Sequence, residues 1–415
     1  MRKYYIVVIG LFCLICFYAC VKPYAPTVTT TNYNYLVVEG MINLTDSTFI
    51  KLSRTVTLSS KISTKAELKA TVTIESSAGA SYALKELGNG LYAAAALNSS
   101  TANQYRVRIK TASGSTYASD FTAAVASPAI DSLSWQATDN LNLYVNTHDP
   151  KNATHYYRWE FNETWEFNSD YNSGYISNGT DIVPRTPAQQ AYHCWGGDTS
   201  HTIYLGTSEK LSSDVINQQL INAIDPGAEK LGIKYSILVK QYGLTKDAYD
   251  YWTLLKKNNE SLGGIFDSQP SASIGNIHNV NVPAEIVIGY ISAGTVSTKR
   301  IFITKSQLPV NWITQPAYPI TPTQCSLDTV PWRIPWGSPP PPKDPWEYRQ
   351  YELIDWLQAQ WYKGDSFRLV PVDIIQAPDP NSSYLIFPNY NYMAARPLCV
   401  ECTLRGTNKQ PSYWQ

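Results

Sequence analysis

The stretch Tyr156-Tyr157-Arg158-Trp159-Glu160-Phe161 carries the densest strand signal in this chain. The aromatic residues at positions 157, 159 and 161 alternate with the charged Arg158 and Glu160, and a period of two is that of a β-strand. Strands with one packed face and one solvated face belong to antiparallel sheets. We therefore expect this segment to be a strand of a mainly β protein.

Seven shorter β-rich runs, each bounded by turn residues, precede this strand between residues 34 and 126. They are Tyr35–Gly40, Thr48–Leu52, Ala70–Ile74, Tyr82–Lys85, Gly90–Ala93, Tyr105–Ile109 and Thr116–Ser119. Seven short strands at this spacing are typical of an immunoglobulin-like β-sandwich. Ala126-Ser127-Pro128 is a turn signal that ends this N-terminal unit.

Residues 127–315 predict a second β-rich unit, which also contains the best helix signal in the chain. We place the helix near 246–262, because Thr245 is a candidate N-cap and Gly263-Gly264 is a stop signal. One stripe of this helix consists of Ala248, Tyr251, Trp252, Leu255 and Leu262. We expect this aromatic stripe to pack in the core. The predicted fold is thus mainly β, with two β-sandwich-like (immunoglobulin-like) units and one or two accessory helices.

Residues 316–415 form an aromatic, Pro-rich and Cys-containing C-terminal region that we expect to pack on the second unit. It includes Pro339-Pro340-Pro341-Pro342, which excludes a regular helix or central strand there. Trp332, Trp336 and Trp346 are candidate contacts for a glycan, a peptide or a partner protein, because exposed Trp offers a large binding area at low entropic cost. The alternative is that these side chains clamp the Pro-rich loop onto the body.

The N-terminus has the layout of an export signal. Arg2 and Lys3 precede an apolar run that ends at Ala19, and this run is shorter than the roughly 20 residues of a membrane-spanning helix. We expect residues 1–19 to be a cleaved signal peptide, Cys20 to be the lipidation site, and residues 20–33 to be a lipidated tether. An ordinary secreted protein and an uncleaved anchor are the alternatives.

The charge of the chain gives no reason to expect a nucleic-acid partner. The 33 basic and 33 acidic residues balance, and removal of the signal peptide leaves 31 against 33. Nucleic-acid binding depends on clustered positive charge. The membrane, reached through the N-terminal lipid, is the partner that the sequence predicts.

Four cysteines remain after the signal peptide and the lipidation site are set aside. They are Cys194, Cys325, Cys399 and Cys402. Export makes two disulfides plausible, and the three connectivities stay open. Cys399-x-x-Cys402 also fits a redox motif or half of a zinc site, but a second such motif and a nearby histidine are both absent from the sequence. We therefore predict structural cystines, no metal site and no cofactor.

The sequence contains few candidates for catalysis. The five histidines, which are His148, His155, His193, His201 and His278, form no metal-ligand spacing. Glu160, Glu163 and Glu166 could supply the paired carboxylates of a glycosidase. On a strand, however, Glu160 and Glu166 share one face and Glu163 takes the other, which is more typical of a solvated sheet. Asp131-Ser132-Leu133 and Asp328-Thr329-Val330 fit a loose O-glycosylation pattern.

Several motifs spread over nearly the whole chain resemble one family. They are Leu36-Val37-Val38-Glu39-Gly40, Lys51-Leu52-Ser53-Arg54, the helix around Tyr249–Leu255 with Gly263-Gly264-Ile265-Phe266, Gly289-Tyr290-Ile291-Ser292-Ala293, Lys299-Arg300-Ile301-Phe302-Ile303, and the ending from Cys399-Val400-Glu401-Cys402 to Tyr413-Trp414. In these features the chain resembles the domain-of-unknown-function 4249 lipoproteins of Bacteroidota. The segment from about 331 to 362 resembles that family least.

The resemblance implies an outer-membrane lipoprotein, commonly linked with TonB-dependent outer-membrane receptors, and it implies no catalytic activity. Surface-exported lipoproteins of this phylum tend to carry acidic residues directly after the lipidated cysteine, whereas Val21-Lys22-Pro23-Tyr24 contains none. The periplasmic face therefore stays open beside the cell-surface face. We predict a non-enzymatic accessory or substrate-capturing partner of a TonB-dependent transporter. The alternative is an envelope glycan-binding protein or glycan hydrolase that uses the Trp cluster and the acidic strand.

Overall fold

The computed structural model describes residues 34–57, 60, 64–177, 182–260, 275–315, 325, 327–330, 370–376 and 390–414. The predicted signal peptide, Cys20, the tether and the three candidate tryptophans lie outside these residues. The described part is mainly β, as predicted. Within it, no helix has the length and apolar character needed to cross a membrane.

The first part of the chain forms nine strands. They are β1 Leu36–Asn43, β2 Thr48–Arg54, β3 Lys65–Ala66, β4 Thr71–Ser76, β5 Ser81–Gly88, β6 Leu91–Ala94, β7 Gln104–Lys110, β8 Thr116–Ser119 and β9 Thr122–Val125. Inward side chains alternate with outward ones, as in β7, where Tyr105, Val107 and Ile109 are buried. This alternation supplies the core of the first unit.

Later residues complete the first unit. Strands β19 Ile277–Asn279, β20 Val287–Ile288 and β21 Ser292–Gly294 all join its sheet, and β20 and β21 run parallel to β1. Because β21 also pairs with β9, and β9 pairs with β7, eight strands close into a barrel-like ring. The prediction that residues 127–315 form the second unit is therefore wrong for 277–294, because these strands pair with β1 and β8 of the first unit. Strands β20 and β21 are separated at Gly289, where φ is +134°.

The remaining strands of the middle region build the second unit. They are β10 Ile130–Ala137, β11 Leu141–His148, β12 Tyr156–Asn168, β13 Tyr175–Ser177, β14 Ile182–Pro184, β15 His193–Thr199, β16 Tyr204–Thr207, β17 Val215–Ile224, β18 Lys234–Leu244 and β22 Val296–Thr304. The sheet β10-β11-β17 and the sheet β15-β12-β18-β22 contribute to one shared core. The opening aromatic strand, β12, lies inside the larger sheet, and Trp159 is completely buried.

The helix α1, Lys246–Glu260, begins where the sequence predicted it. The Thr245 hydroxyl accepts a hydrogen bond from the backbone N–H of Ala248 at 3.3 Å, which is the N-cap interaction. The Tyr251 ring lies 5.1 Å from that of Tyr290, a residue that links β20 to β21. The aromatic stripe of α1 therefore packs between the two units, which confirms the structural interpretation of that stripe.

The described C-terminal elements are β23 Asp328–Val330, β24 Val370–Gln376, β25 Tyr390–Ala395 and the short helix α2 Pro397–Val400. Two disulfides fasten this region: Cys194 bonds to Cys402, and Cys325 bonds to Cys399. The two cysteines of the C-x-x-C motif are thus each bonded elsewhere, one of the options that the sequence left open.

Candidate functional site

Glu163 is the most deeply buried of the three acidic residues on β12. Its carboxylate accepts hydrogen bonds from Lys230 Nζ at 2.6 Å, Tyr235 Oη at 2.6 Å and Asn222 Nδ2 at 2.9 Å. Burial and the adjacent carboxylate raise the pKa of Tyr235 well above its usual value. The prediction of a solvated sheet was wrong at Glu163, because the strand turns this side chain into the core of the second unit.

Glu160 lies on the opposite face of β12, in a cluster of aromatic and charged side chains. Arg158 lies 4.5 Å from the Tyr242 ring centroid and 4.2 Å from that of Trp252 on α1. Tyr242 Oη donates a hydrogen bond to Glu160 at 2.7 Å. Burial raises the pKa of Glu160, but the Arg158 charge and these hydrogen bonds outweigh it, so the pKa falls below its usual value. A glycosidase acid requires the opposite shift.

Glu166 lies on the same side of β12 as Glu160 and is covered by the end of the chain. Trp414 Nε1 donates a hydrogen bond to it at 2.5 Å, and the Trp414 ring contacts Phe302 edge-on at 5.3 Å. The neighbouring Tyr413 hydroxyl bonds to Thr164 at 2.8 Å. The C-terminal motif of the family resemblance thus packs against the larger sheet of the second unit and covers Glu166.

A second buried carboxylate, Asp214, was not predicted from the sequence. It accepts hydrogen bonds from the hydroxyls of Tyr157 and Ser208 and from the backbone N–H of Asp149 at 2.8 Å. His155 Nδ1 lies 3.2 Å from Ser208 Oγ. A catalytic triad needs the histidine between the serine and the aspartate, whereas here the buried serine bonds directly to the aspartate. The cluster therefore holds loops together rather than activating a nucleophile.

Each of the five histidines has its own hydrogen-bond partner. His148 pairs with Asp131, His155 with Ser208, His193 with Asn168, His201 with Asp198, and His278 with Asp120. Asp170 lies close to Cys325 and Cys399, with ligand atoms within 4.8 Å of one another, but the two sulfurs are bonded to each other. Because a metal requires free thiolates, this grouping does not form a zinc site.

A cleft of about 560 Å³ opens where the first unit joins the second. Its lining includes the connection Ala124–Ala129, the turn Asp149–Lys151 and the pair formed by His148 and Asp131. His148 Nδ1 lies 2.8 Å from Asp131 Oδ2, and this hydrogen bond raises the pKa of His148. The cleft therefore carries one titratable pair at its edge.

The most exposed apolar side chains of the second unit lie on one short loop. Leu308 and Trp312 are anchored in the core, while Val310 is 99% exposed and Ile313 is 79% exposed. Lys305 Nζ donates a hydrogen bond to the Trp312 carbonyl oxygen at 2.5 Å, which holds the loop in place. This apolar loop 309–313 was not predicted from the sequence, although apolar residues beside Pro309 outside any strand pattern were the available signal.

Comparison with known proteins gives a family and little else. No curated protein matches the chain. Among solved structures, the chain is similar to the chitinase ChiA74 from Bacillus thuringiensis at 11% identity and a TM-score of 0.13, covering 46% of this chain and 28% of that one. This likeness is too slight to carry an argument. The model of the domain of unknown function DUF4249 matches residues 21–300, more than half of the 415 residues, and the chain therefore belongs to that family.

Proposed function

We propose that this protein is a lipid-anchored, non-enzymatic component of the outer membrane that acts as an accessory or substrate-capturing partner of a TonB-dependent transporter. In this proposal Cys20 carries the lipid and the two units carry the binding surfaces. The first unit closes into the barrel-like ring, and for the second unit we propose the finer architecture of an immunoglobulin-like sandwich. The shared core beneath the two sheets of the second unit supports it there.

The main support for a non-enzymatic role is that every glutamate on β12 is held by other side chains of the protein. Glu163 has three internal donors, Glu160 is paired with Arg158 and Tyr242, and Glu166 is covered by Trp414. A hydrolase acid must reach a glycosidic oxygen, and its partner carboxylate must reach the sugar or a water. These side chains instead maintain the fold.

The apolar loop 309–313 supports a role in binding another protein. Exposed aliphatic side chains on a rigid support are typical of partner contacts, because burying them on association releases ordered water at little conformational cost. The part of the transporter that projects from the membrane is the partner surface that we propose for this loop. Trp332, Trp336 and Trp346 remain candidates for the same role.

The test is an affinity purification of the tagged, lipidated protein from gently solubilised outer membranes, followed by mass spectrometry. We expect one TonB-dependent receptor to be enriched, and we expect the enrichment to fall in a Val310→Asp/Ile313→Asp variant. Phe49→Asp, at an exposed apolar residue of the first unit, is the matched control and should leave enrichment unchanged. The Cys20→Ala variant controls for lipidation.

Failure to recover any barrel with a chain that carries lipid on Cys20 would overturn the partnership. Turnover of oligosaccharides that is lost in Glu160→Gln or Glu166→Gln would replace this proposal with a glycan hydrolase. Saccharide binding without turnover, lost in Trp332→Ala, Trp336→Ala or Trp346→Ala, would replace it with a glycan-binding protein.

A further inference from the structure

At one end of the barrel-like unit, exposed aliphatic side chains lie near Asn34, where the described residues begin. Asn34 precedes β1, and its carbonyl oxygen accepts a hydrogen bond from Arg54 at 3.1 Å. The same guanidinium pairs with Glu67 at 2.6 Å and lies 4.0 Å from Glu285. Arg54 therefore joins the start of β1 to two loops, and we call this end of the first unit the tether pole.

Five large apolar side chains at the tether pole are between 46% and 56% exposed. They are Leu68, Leu87, Val280, Val282 and Ile286. Leu68 follows Glu67, and Ile286 follows Glu285, so both adjoin the Arg54 pairs. The turn bearing Leu87 lies close by, because the Lys69 backbone N–H bonds to Glu86 at 3.0 Å.

The loop from Val280 to Ile286 is held rigidly with its aliphatic side chains outward. The Asn279 carboxamide oxygen accepts hydrogen bonds from the backbone N–H groups of Asn281 and Val282, at 2.9 and 3.0 Å. Tyr117 Oη donates to Glu285 at 2.8 Å. Because the loop is fixed in this way, the exposure of Val280, Val282 and Ile286 is a stable property of the surface.

The charges at the tether pole favour an anionic surface. Lys65, Lys69 and Lys110 are all exposed. They belong to this end of the unit, because Lys65 pairs with Arg54 in the sheet and Lys110 pairs with Thr116 at the adjoining end of β7. Three carboxylates also lie there, and each is engaged within the protein: Glu67 pairs with Arg54, Glu285 accepts a hydrogen bond from Tyr117, and Glu86 accepts one from the backbone N–H of Lys69. With Arg54, the three lysines still leave a small positive excess. Aliphatic side chains beside lysines are the combination that binds the headgroup region of a bilayer.

The second unit joins the opposite end of the ring. Leu36, at the start of β1, lies beside Val287, whereas Asn43, at its end, lies beside Gly294. The chain continues from Gly294 into β22 and from Val125, which pairs with Gly294, towards β10. The tether pole therefore faces away from the attachment of the second unit.

We propose that the tether pole rests on the membrane surface, with its aliphatic side chains in the headgroup region and its lysines on anionic lipids. This inference rests on the proposed lipidation of Cys20. Residues 20–33 can span at most about 50 Å when fully extended, so the anchored lipid confines the start of β1 to within that distance of the bilayer. The apolar loop 309–313 then lies on the unit directed away from that surface.

The test uses the full lipidated chain in vesicles of phosphatidylethanolamine and phosphatidylglycerol. An environment-sensitive fluorophore is attached at Val282→Cys, and Ile313→Cys is the matched control on the second unit. We expect emission at position 282 to shift to shorter wavelength and to be shielded from an aqueous quencher, while position 313 stays water-exposed. Replacing phosphatidylglycerol with a neutral lipid should reduce the shift.

The outcomes separate this inference from the function on which it rests. If the chain carries lipid on Cys20 and floats with the vesicles, but position 282 emits as in water, the membrane contact is wrong and the lipid anchor stands. If Cys20 carries no lipid, the anchor is wrong and the inference falls with it. Shielding of position 282 by a copurified barrel in detergent, without shielding in vesicles, would assign the pole to a protein partner and overturn the proposal.

Discussion

At the scale of single residues, the buried charge of Glu163 illustrates how the second unit uses polar groups. A carboxylate in a protein core is tolerated only when its lone pairs are satisfied, and Glu163 has Lys230, Tyr235 and Asn222 around it. The Lys230 ammonium also lies 5.4 Å from the Trp165 ring centroid. The network therefore links β12, β17 and β18 through one side chain.

We expect Glu163→Gln to lower the free energy of unfolding of the second unit by about 2–4 kcal/mol, because Lys230 would lose its counter-charge in a partly buried site. The matched control is Glu39→Gln, since the Glu39–Lys51 pair is 3.9 Å apart and mostly exposed. That change should cost less than about 0.5 kcal/mol. Urea unfolding followed by Trp fluorescence measures both, and equal losses would contradict the network's role.

His148 should titrate above its ordinary value because its Nδ1 pairs with Asp131. Because the pKa of His148 is higher in the folded state than in the unfolded state, the pair stabilises the fold at pH values below the unfolded-state pKa. This stabilisation is lost as the pH rises through the folded-state pKa. NMR titration of the His148 ring should show the raised pKa, and Asp131→Asn should return it towards the usual value. No movement in that variant would show that another group causes the shift.

At the scale of elements, β1 is the strand on which the first unit depends. It pairs antiparallel with β2 on one side and parallel with β20 and β21 on the other. Gly40 and Gly289 permit this close packing. A Cβ atom on Gly40 would lie 2.3 Å from the Phe49 carbonyl oxygen, and one on Gly289 would lie 2.0 Å from that of Val38. Two motifs of the family resemblance are thus neighbours in one sheet.

We expect Gly40→Ala to destabilise the first unit by about 1–3 kcal/mol or more, because φ at this position is +145° and the added methyl group meets backbone. Gly174→Ala is the control, since a methyl group added there would have nothing within 4 Å and its φ is not in the left-handed region. Thermal unfolding of both variants provides the comparison. If Gly40→Ala and the control unfold at the same midpoint temperature, the backbone of β1 can accommodate the added methyl group without loss of stability.

At the scale of the whole molecule, the disulfide between Cys194 and Cys402 connects positions 208 residues apart. It ties the last described residues to β15, and Arg405 then lies 4.4 Å from the Phe167 ring centroid. The covalent bond and these contacts act together to hold Tyr413 and Trp414 on the larger sheet.

Replacing Cys194 and Cys402 with Ala should lower the free energy of unfolding of the second unit by about 2–5 kcal/mol, because the denatured chain gains freedom. The double substitution should also expose residues 403–414, which we call the tail, to trypsin cleavage after Arg405 and Lys409. The variant in which Cys325 and Cys399 become Ala is the comparison, since its cystine lies outside the tail. Mass spectrometry of the digests follows the cleavage, and a tail that stays resistant would show that the non-covalent contacts suffice.

Features that depend on near neighbours along the chain could be predicted from the residues alone. Alternation identified β12 and most strands of the first unit, Thr245 identified the start of α1, and the period of two correctly separated Glu163 from Glu160 and Glu166. These features follow from backbone geometry over a few residues. The sequence could therefore supply the elements and the faces of their side chains.

Contacts between distant segments could not be predicted in this way and are known from the three-dimensional fold. It placed β21 beside β1, joined Cys194 to Cys402, buried Glu163 against Lys230 and Tyr235, and left Val310 in solvent. Periodicity shows that a face must be covered but does not encode what covers it. The partner is selected by the packing of the whole core, where strands more than a hundred residues apart compete for the same edge.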